Sequence, residues 1–454
     1  MKFLALTALI ATSAFANSND LAHRPKSFST AQGKAVFVDF KEANYTITYD
    51  LTKKIATAKA DITFDAPEAG MPIFDTYRVP YNVILDGVDV GATQVKTPSN
   101  ETTLQVVNKA VSTGAHKLSV EVQIEDLVKF SDDGVNSAFW TSDLAERQFL
   151  ERYMPANFEF DQVKMSFKVN FVGAKKKQRI YTNGVVAEKS GVTTINFPAH
   201  FTASSVFFHT APEGSFAETS FSYRSVDGRN LPVLIYVGQT TWTSQSVTLE
   251  NLKKKTIQVL DELEKDYGPF LHPSVTIYNA GMGGMEYCGA TITSSDALGH
   301  ELFHSYYARG VMPANGNSGW VDEALASWRD GGYKVTTSLN GSSKMSSHPY
   351  YTRTTDRDAY TFGAKFMSYL DGSLRAKDKK DGLKPFLRYM VEKKSLKPLY
   401  VEEFYKEMES FYGMNFESDF KKYTYGSSAS NFKMTTEEST HHQKMTVEEL
   451  KKFL

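Results

Sequence analysis

Five residues near the middle of the sequence, His300-Glu301-Leu302-Phe303-His304, form the pattern H-E-x-x-H. Residues four apart on an α-helix share one face, so the two imidazoles can reach one zinc ion. Glu301 then lies beside that ion, where its carboxylate can take a proton from a water molecule. The chain has 10 histidines, so the pattern alone is also compatible with a helix that carries two ordinary histidines.

A third ligand for such an ion is offered by Glu323, which follows His304 by 323 − 304 = 19 residues. A catalytic zinc needs three protein ligands and one open position. The spacing suits two helices joined by a loop, the second of which brings a carboxylate back to the first. Two histidines and a glutamate are the ligand set of thermolysin-type sites. The sequence therefore predicts one Zn²⁺ bound by His300, His304 and Glu323.

A second cluster, Gly283-Gly284-Met285-Glu286-Tyr287, precedes this pattern. Glycine lets another chain approach the backbone closely, and residues 290–293 are typical of an edge strand that can pair with an extended peptide. Glu286 can then accept a charge-assisted hydrogen bond from a free α-ammonium group. By itself the cluster is a weak signal, because a glutamate after two glycines is usually a solvated turn residue.

Together these residues resemble the aminopeptidase N-like zinc metallopeptidases of the gluzincin clan, whose pattern is G-x-M-E-N followed by H-E-x-x-H-x18-E. The match is close over residues 283–330 and looser on both sides. Residues 152–161, RYMPANFEFD, are similar to a segment late in that family's N-terminal β-domain. Residues 360–364, YTFGA, are similar to the family's Y-x-x-G-A stretch.

The resemblance implies a catalytic role for two residues beside the three zinc ligands. Glu301 acts as general base and then as general acid in peptide hydrolysis. Tyr360 donates a hydrogen bond to the oxyanion. Since the chain has 24 tyrosines, competing residues for this second role are Tyr306, Tyr350 and Tyr351.

The resemblance also implies a substrate site and a supporting acid. The substrate-binding residues are Gly284, Met285 and Glu286, and Glu286 anchors the amino terminus of a peptide. Asp330 matches an acidic position after the third ligand and could orient a histidine. Tyr287 stands where the family has asparagine and Ala324 where it usually has glycine, which affects the shape of the first substrate pocket.

A zinc-dependent aminopeptidase is therefore the predicted function, in a short form that lacks the family's large C-terminal helical domain. The alternatives are a zinc endopeptidase, an enzyme nearer the glycyl aminopeptidase family, and an inactive zinc-containing protein that binds peptides. The x18 spacing argues against the glycyl aminopeptidase family. A structural β-sandwich adhesin would account for the first half of the chain but not for the zinc cluster.

The elements that must position these residues indicate a multidomain α+β fold. Apolar residues alternate with polar ones in several segments before residue 215, as in strands with one buried face, and this predicts a β-sandwich over residues 17–215. A thermolysin-like, mainly helical domain with a small sheet is predicted over 216–425, followed by a polar tail over 426–454. Predicted helices span residues 249–267, 296–309, 320–333, 359–370, 383–392 and 401–412.

The amino terminus predicts export. A lysine and then an apolar run end at Ala14-Phe15-Ala16, a pattern read as a signal peptide over residues 1–16, so we expect a periplasmic or extracellular protein with no membrane span after cleavage. A formal net charge of −1 disfavours nucleic acid as a partner, and peptides are the expected substrates. The single cysteine, Cys288, is expected to be a packed residue. The sequence leaves the oligomeric state and the first-residue preference open.

Overall fold

The computed structural model describes residues 23–76, 78–98, 103–125, 127–139, 153–158, 160–189, 192–238, 247–281, 283–314, 316–348, 351 and 355–426. The predicted signal peptide, residues 152 and 159 of the RYMPANFEFD segment, Tyr350, and the tail beyond residue 426 lie outside this set. Among the described helices, none combines the length and the apolar character needed to cross a bilayer.

Strands in the first half of the chain form three sheets. The largest has eight strands, in the order Val185–Lys189, Val192–Asn196, Lys164–Val172, Asp39–Asp50, Ile55–Ala66, Gly114–Ile124, Asn82–Leu85 and Val88–Asp89. A five-stranded sheet has the order Phe28–Ser29, Lys34–Phe37, Met71–Phe74, Thr103–Val107 and Ala92–Lys96. A four-stranded sheet has the order Val128–Phe130, Val135–Phe139, Phe208–Pro212 and Gln178–Thr182.

The alternation in the sequence explains how these sheets pack. In Asp39–Asp50, for example, Tyr45, Ile47 and Tyr49 are buried and their neighbours are more exposed. The buried face of the eight-stranded sheet shares one hydrophobic core with residues of both smaller sheets. The first half is thus a layered all-β structure whose core lies between the sheets.

A fourth sheet begins at Ala217 and lies next to the histidine pattern. Its order is Ala217–Arg224, Asn230–Val237, Val275–Asn279, Ala290–Thr293 and Gly284–Tyr287. The expectation that residues 290–293 form the edge strand was wrong, because this strand pairs on both sides. The chain reverses at Gly289, where φ is +65°, and so places Gly284–Tyr287 at the edge.

Seven α-helices lie among the described residues of the second half. They are Leu249–Tyr267, Leu298–Phe303, Val321–Asp330, Ala364–Arg375, Lys384–Lys394, Val401–Tyr412 and Glu417–Thr424. A π-helical turn, Ala359–Gly363, precedes the fourth, and a two-stranded parallel ladder joins Val311–Pro313 to Lys397–Leu399. The structure therefore confirms a multidomain α+β fold, while the boundary at residue 215 and the thermolysin-like assignment stay predictions.

The helix that carries the histidines is shorter than predicted. It ends at Phe303, and the chain then turns so that the Arg309 amide donates to the His304 carbonyl at 2.9 Å. Ala308 has φ +124°, a conformation that interrupts a helix and that a residue with a Cβ seldom adopts. The turn is a structural feature of the site, since it presents Arg309 immediately after the second histidine.

Candidate active site

Three predicted ligands converge between the helices Leu298–Phe303 and Val321–Asp330. Donor atoms of His300, His304 and Glu323 all lie within 4.8 Å of one another. Glu323 Oε2 is 3.0 Å from His300 Nε2 and 3.4 Å from His304 Nε2. All three side chains are buried, and two imidazoles with one carboxylate are a donor set that suits Zn²⁺.

The other ring nitrogens fix how the two imidazoles are presented. His300 Nδ1 is 2.7 Å from Asp330 Oδ2, and His304 Nδ1 is 3.0 Å from the Tyr307 carbonyl oxygen. An Nδ1–H that donates to a carboxylate or carbonyl makes Nε2 the atom available to a metal ion. Both Nε2 atoms point to Glu323, so the arrangement fits a bound metal ion.

The charge balance of this cluster also favours a cation. Burial lowers the pKa of His300, but its hydrogen bonds to Asp330 and Glu323 outweigh burial and hold the pKa well above its usual value. Burial likewise lowers the pKa of His304, and the charges of Glu323 and Glu286 raise it to about 9. Carboxylates therefore dominate the local field, as they do where a divalent ion is held.

Glu301 lies on the same helix and is enclosed by the edge strand. Burial raises the pKa of Glu301 to about 8, against the lowering effect of His300 and His304. The strand Gly284–Tyr287 passes so near that a Cβ on Gly284 would lie 1.8 Å from Glu301 Oε1. Only glycine at this position leaves room for the carboxylate.

The edge strand presents alternate residues to two different surfaces. Gly284 and Glu286 face the histidine helix. Met285 and Tyr287 pack on the other face, in an aromatic cluster with side chains from both halves of the chain: Tyr181, Phe207, Tyr236 and Tyr278. A substrate contact by Met285 would therefore involve its main chain.

Glu286 makes a contact that the sequence did not predict. Its side chain is 1% exposed, and Oε1 is 3.4 Å from Arg309 Nη2. Arg309 Nη1 in turn donates to Ser204 Oγ at 3.1 Å. The signal that could have indicated Arg309 is its position as an isolated charge in the apolar run 306–312, since buried charges need partners.

Tyr360 is held against the third ligand by the π-helical turn Ala359–Gly363. Gly363 allows this turn to approach Ala324, because a Cβ on Gly363 would lie 2.7 Å from the Ala324 side chain. The half-buried Tyr360 donates its hydroxyl hydrogen bond to Glu323 Oε1 at 3.0 Å.

Of the three competing tyrosines, the two that the structure describes make other contacts. Tyr306 donates to the Gly268 carbonyl oxygen at 2.8 Å, and Tyr351 packs against Phe28 and Phe37. Cys288 is buried, as expected, and burial raises the pKa of its thiol to about 11.

No family model matches the sequence, and no curated protein matches it. The structure is similar to an M1 zinc metallopeptidase from Deinococcus radiodurans, with 14% identity and a TM-score of 0.57 over 82% of this chain and 90% of that one. It is also similar to yeast LTA4 hydrolase, with 14% identity and a TM-score of 0.60 over 87% of this chain and 69% of that one.

A third similar structure is that of Legionella pneumophila aminopeptidase A in complex with aspartic acid. Identity is 13% and the TM-score is 0.60, over 88% of this chain and 51% of that one. The chain thus spans about half of the Legionella protein. At such identities the likeness shows a shared fold, and the residue roles and the short form stay predictions.

Proposed function

We propose that this chain is a zinc-dependent peptidase that removes amino acids from the amino termini of peptides. The observation that carries the proposal is the convergence of His300, His304 and Glu323 donor atoms within 4.8 Å, beside the buried Glu301. Two of the proteins of similar fold support it, because one is a zinc metallopeptidase and one is an aminopeptidase, and a mutant of the Deinococcus enzyme is bound to a Tyr-Ser-Ala substrate.

His300, His304 and Glu323 would hold one Zn²⁺, which when bound supplies a Lewis acid that polarises a carbonyl group and acidifies water. Glu301 accepts the proton of the attacking water and later donates it to the leaving amine. Its buried position directly after His300 lets one carboxylate serve both tasks.

The remaining groups position the substrate and stabilise developing charge. The Tyr360 hydroxyl donates to the carbonyl oxygen as that oxygen becomes negative. The edge strand Gly284–Tyr287 offers main-chain groups to an extended peptide. Glu286 accepts a hydrogen bond from the α-ammonium group, which places the first peptide bond at the reacting centre.

Glu301→Gln tests the assignment of the base. The amide cannot accept the proton, so we expect normal zinc content and a loss of turnover of about 10²-fold or more. Metal analysis and steady-state rates with several aminoacyl amides, with and without chelator, measure the two effects. The matched control is Glu407→Gln, which makes the same change at a glutamate paired with Lys393. Comparable rates for wild type and Glu301→Gln would refute the mechanism.

Peptides with acetylated amino termini test the aminopeptidase activity in the same assay. Acetylation removes the ammonium group that Glu286 is proposed to bind, so these peptides should resist cleavage. Ready cleavage would instead indicate an endopeptidase. Zinc and peptide binding without any turnover would indicate an inactive peptide-binding protein.

A further inference from the structure

We propose that Arg309 is a positioning residue for recognition of the substrate's amino terminus. In this role it holds the carboxylate of Glu286 in place and ties it to Ser204, a residue of the N-terminal half. The inference rests on the proposed function, because it takes Glu286 as the acceptor for the α-ammonium group.

The first step is that Glu286 needs a cation. The Glu286 side chain is 1% exposed, and the neighbouring Asp322 is fully buried. Donor atoms of Glu286, His304 and Asp322 lie within 4.8 Å of one another. A buried carboxylate stays ionised only when it is paired. Arg309, itself 3% exposed, provides a fixed positive charge 3.4 Å away.

The second step is that Arg309 is itself held on two sides. Nη1 donates to Ser204 Oγ at 3.1 Å while Nη2 faces Glu286 Oε1. A guanidinium group is planar, so fixing one nitrogen fixes the direction of the other. The turn at Ala308, with φ +124°, delivers the arginine to this place directly after the histidine helix.

The third step is that the short turn Ala203–Ser205, which contains Ser204, also holds the hairpin formed by Gly284–Tyr287 and Ala290–Thr293. The Cys288 amide donates to the Ser205 carbonyl oxygen at 3.2 Å. Asn183 Nδ2 donates to the carbonyl oxygens of Ser205 and Cys288, at 2.8 and 2.9 Å. Residues of the first half of the chain therefore hold both the backbone of the hairpin after Gly284–Tyr287 and, through Arg309, the side chain of Glu286.

This arrangement predicts how Arg309 affects binding of the substrate's amino terminus. A carboxylate that is held in place before the substrate arrives loses little freedom on binding, which favours affinity. Loss of Arg309 should therefore weaken binding of the amino terminus more than it slows the chemical step. Loss of an arginine that only stabilises the fold would not weaken binding of the amino terminus more than it slows the chemical step.

The experiment compares four variants of the zinc-loaded protein. Arg309→Met removes the charge at similar length, Arg309→Lys keeps the charge but not the fork, and Ser204→Ala removes the supporting hydroxyl. Arg375→Met is the control, because it breaks a different arginine–carboxylate pair, that with Asp371. Calorimetric titration with leucinamide is done on each variant combined with Glu301→Gln, so that the amide binds without being hydrolysed, and it measures recognition of the amino terminus. KM and kcat are measured separately with an aminoacyl amide on the variants that keep Glu301.

The expected pattern is a graded loss of affinity. Arg309→Met should weaken leucinamide binding about tenfold or more, since hydrogen bonds to charged groups contribute most. Ser204→Ala should weaken it by about two- to tenfold, and Arg309→Lys should lie between wild type and Arg309→Met. KM should rise in parallel with smaller changes in kcat, and Arg375→Met should change none of these.

Unchanged or tighter leucinamide binding in Arg309→Met, or a loss of kcat at constant KM, would overturn the inference. If Arg309→Met does not fold, Ser204→Ala and Arg309→Lys decide, and wild-type affinity in both would overturn it. Failure of the proposed function looks different, since the wild type would then hydrolyse no peptide. Peptide hydrolysis by the wild type, together with no leucinamide binding by Glu301→Gln, would overturn only the role given to Arg309 and Glu286.

Discussion

Replacing Gly284 by alanine should displace Glu301 while leaving the three metal-binding side chains in place. The added Cβ would lie 1.8 Å from Glu301 Oε1 and 2.3 Å from its Cδ. Gly284 is not among the described glycines with positive φ, so alanine suits the backbone there. The cost of the substitution therefore falls on the contact with Glu301.

The size of the effect follows from the overlap. Ordinary contact begins near 3.4 Å, so the carboxylate oxygen must move by about 3.4 − 1.8 = 1.6 Å. A misplacement of about 1 Å can cost about 10²-fold in rate. We therefore expect kcat to fall by about 10²-fold or more, with zinc content unchanged.

The assay combines rates, metal analysis and a second substitution. Steady-state kinetics and zinc content are measured for Gly284→Ala and for Gly331→Ala, whose added Cβ would meet nothing closer than 3.5 Å. Glu301→Asp shortens the side chain and reduces the overlap, since Cγ lies farther from the added Cβ, at 2.8 Å, than Oε1 does. The penalty of Gly284→Ala should therefore be smaller in the Glu301→Asp background, a coupling that a double-mutant cycle measures.

Three results would refute this reasoning. Wild-type kcat in Gly284→Ala would mean that the position of the Glu301 carboxylate does not control the rate. Loss of zinc would mean that the methyl group disturbs the ligands instead of the base. Equal penalties in both backgrounds would also contradict the overlap as the cause.

Three further predictions concern the surroundings of the site and the core. Tyr360→Phe should lower kcat about 10²-fold with little change in KM, because it removes the hydroxyl that donates to the developing oxyanion, and steady-state kinetics measure both. The same substitution removes the hydrogen bond to Glu323 Oε1, so zinc content is measured in parallel. Asp330→Asn should weaken zinc binding by about 10- to 100-fold in a metal-competition titration, because His300 loses the charge that orients it. Burial lowers the pKa of His209 from 6.5 to about 3. Between about pH 3 and pH 6.5 the unfolded chain therefore binds a proton that the folded chain does not, so the free energy of unfolding falls as the pH is lowered. His209→Gln should make that decline shallower by about 1.4 kcal/mol per pH unit in urea unfolding at pH 4, 5 and 6.

Each of these has a contradicting outcome. A higher KM with unchanged kcat in Tyr360→Phe would make the hydroxyl a ground-state contact. Wild-type zinc affinity in Asp330→Asn would show that the 2.7 Å contact does not support the ligand. Identical slopes of stability against pH for His209→Gln and wild type would mean that His209 takes up its proton in the folded state.

Local patterns in the sequence predicted the elements that depend on local interactions. The helix Leu249–Tyr267 was confirmed at both ends, where the Thr248 side chain accepts from the Asn251 amide and Gly268 takes φ +97°. The segments of the first half in which apolar and polar residues alternate form strands, as predicted. Alternation is also a local pattern, and it determines which face of a strand is buried. The convergence of His300, His304 and Glu323 followed from their spacing on two helices.

The features that were missed depend on contacts between distant parts of the chain. Arg309 and Ser204 are 105 residues apart, and no local pattern links them. The length of the histidine helix depends on the turn at Ala308, which nothing in the apolar segment around it signals. Which strand forms the sheet edge depends on how a hairpin pairs with Val275–Asn279, and hydrophobic alternation does not specify pairing order.

The two faces of the edge strand place a limit on the length of its hairpin. Side chains of a strand alternate between faces, so a shift of one residue moves every side chain to the opposite face. Such a shift in Gly284–Tyr287 would turn Met285 and Tyr287 toward the histidine helix and would bury Glu286 in the aromatic cluster. A single-residue insertion or deletion near Cys288-Gly289 would therefore remove the acceptor carboxylate and fill the space of Glu301 at once. The pairing register of Gly284–Tyr287, more than the composition of this strand, determines which of its side chains face the histidine helix and which face the aromatic cluster.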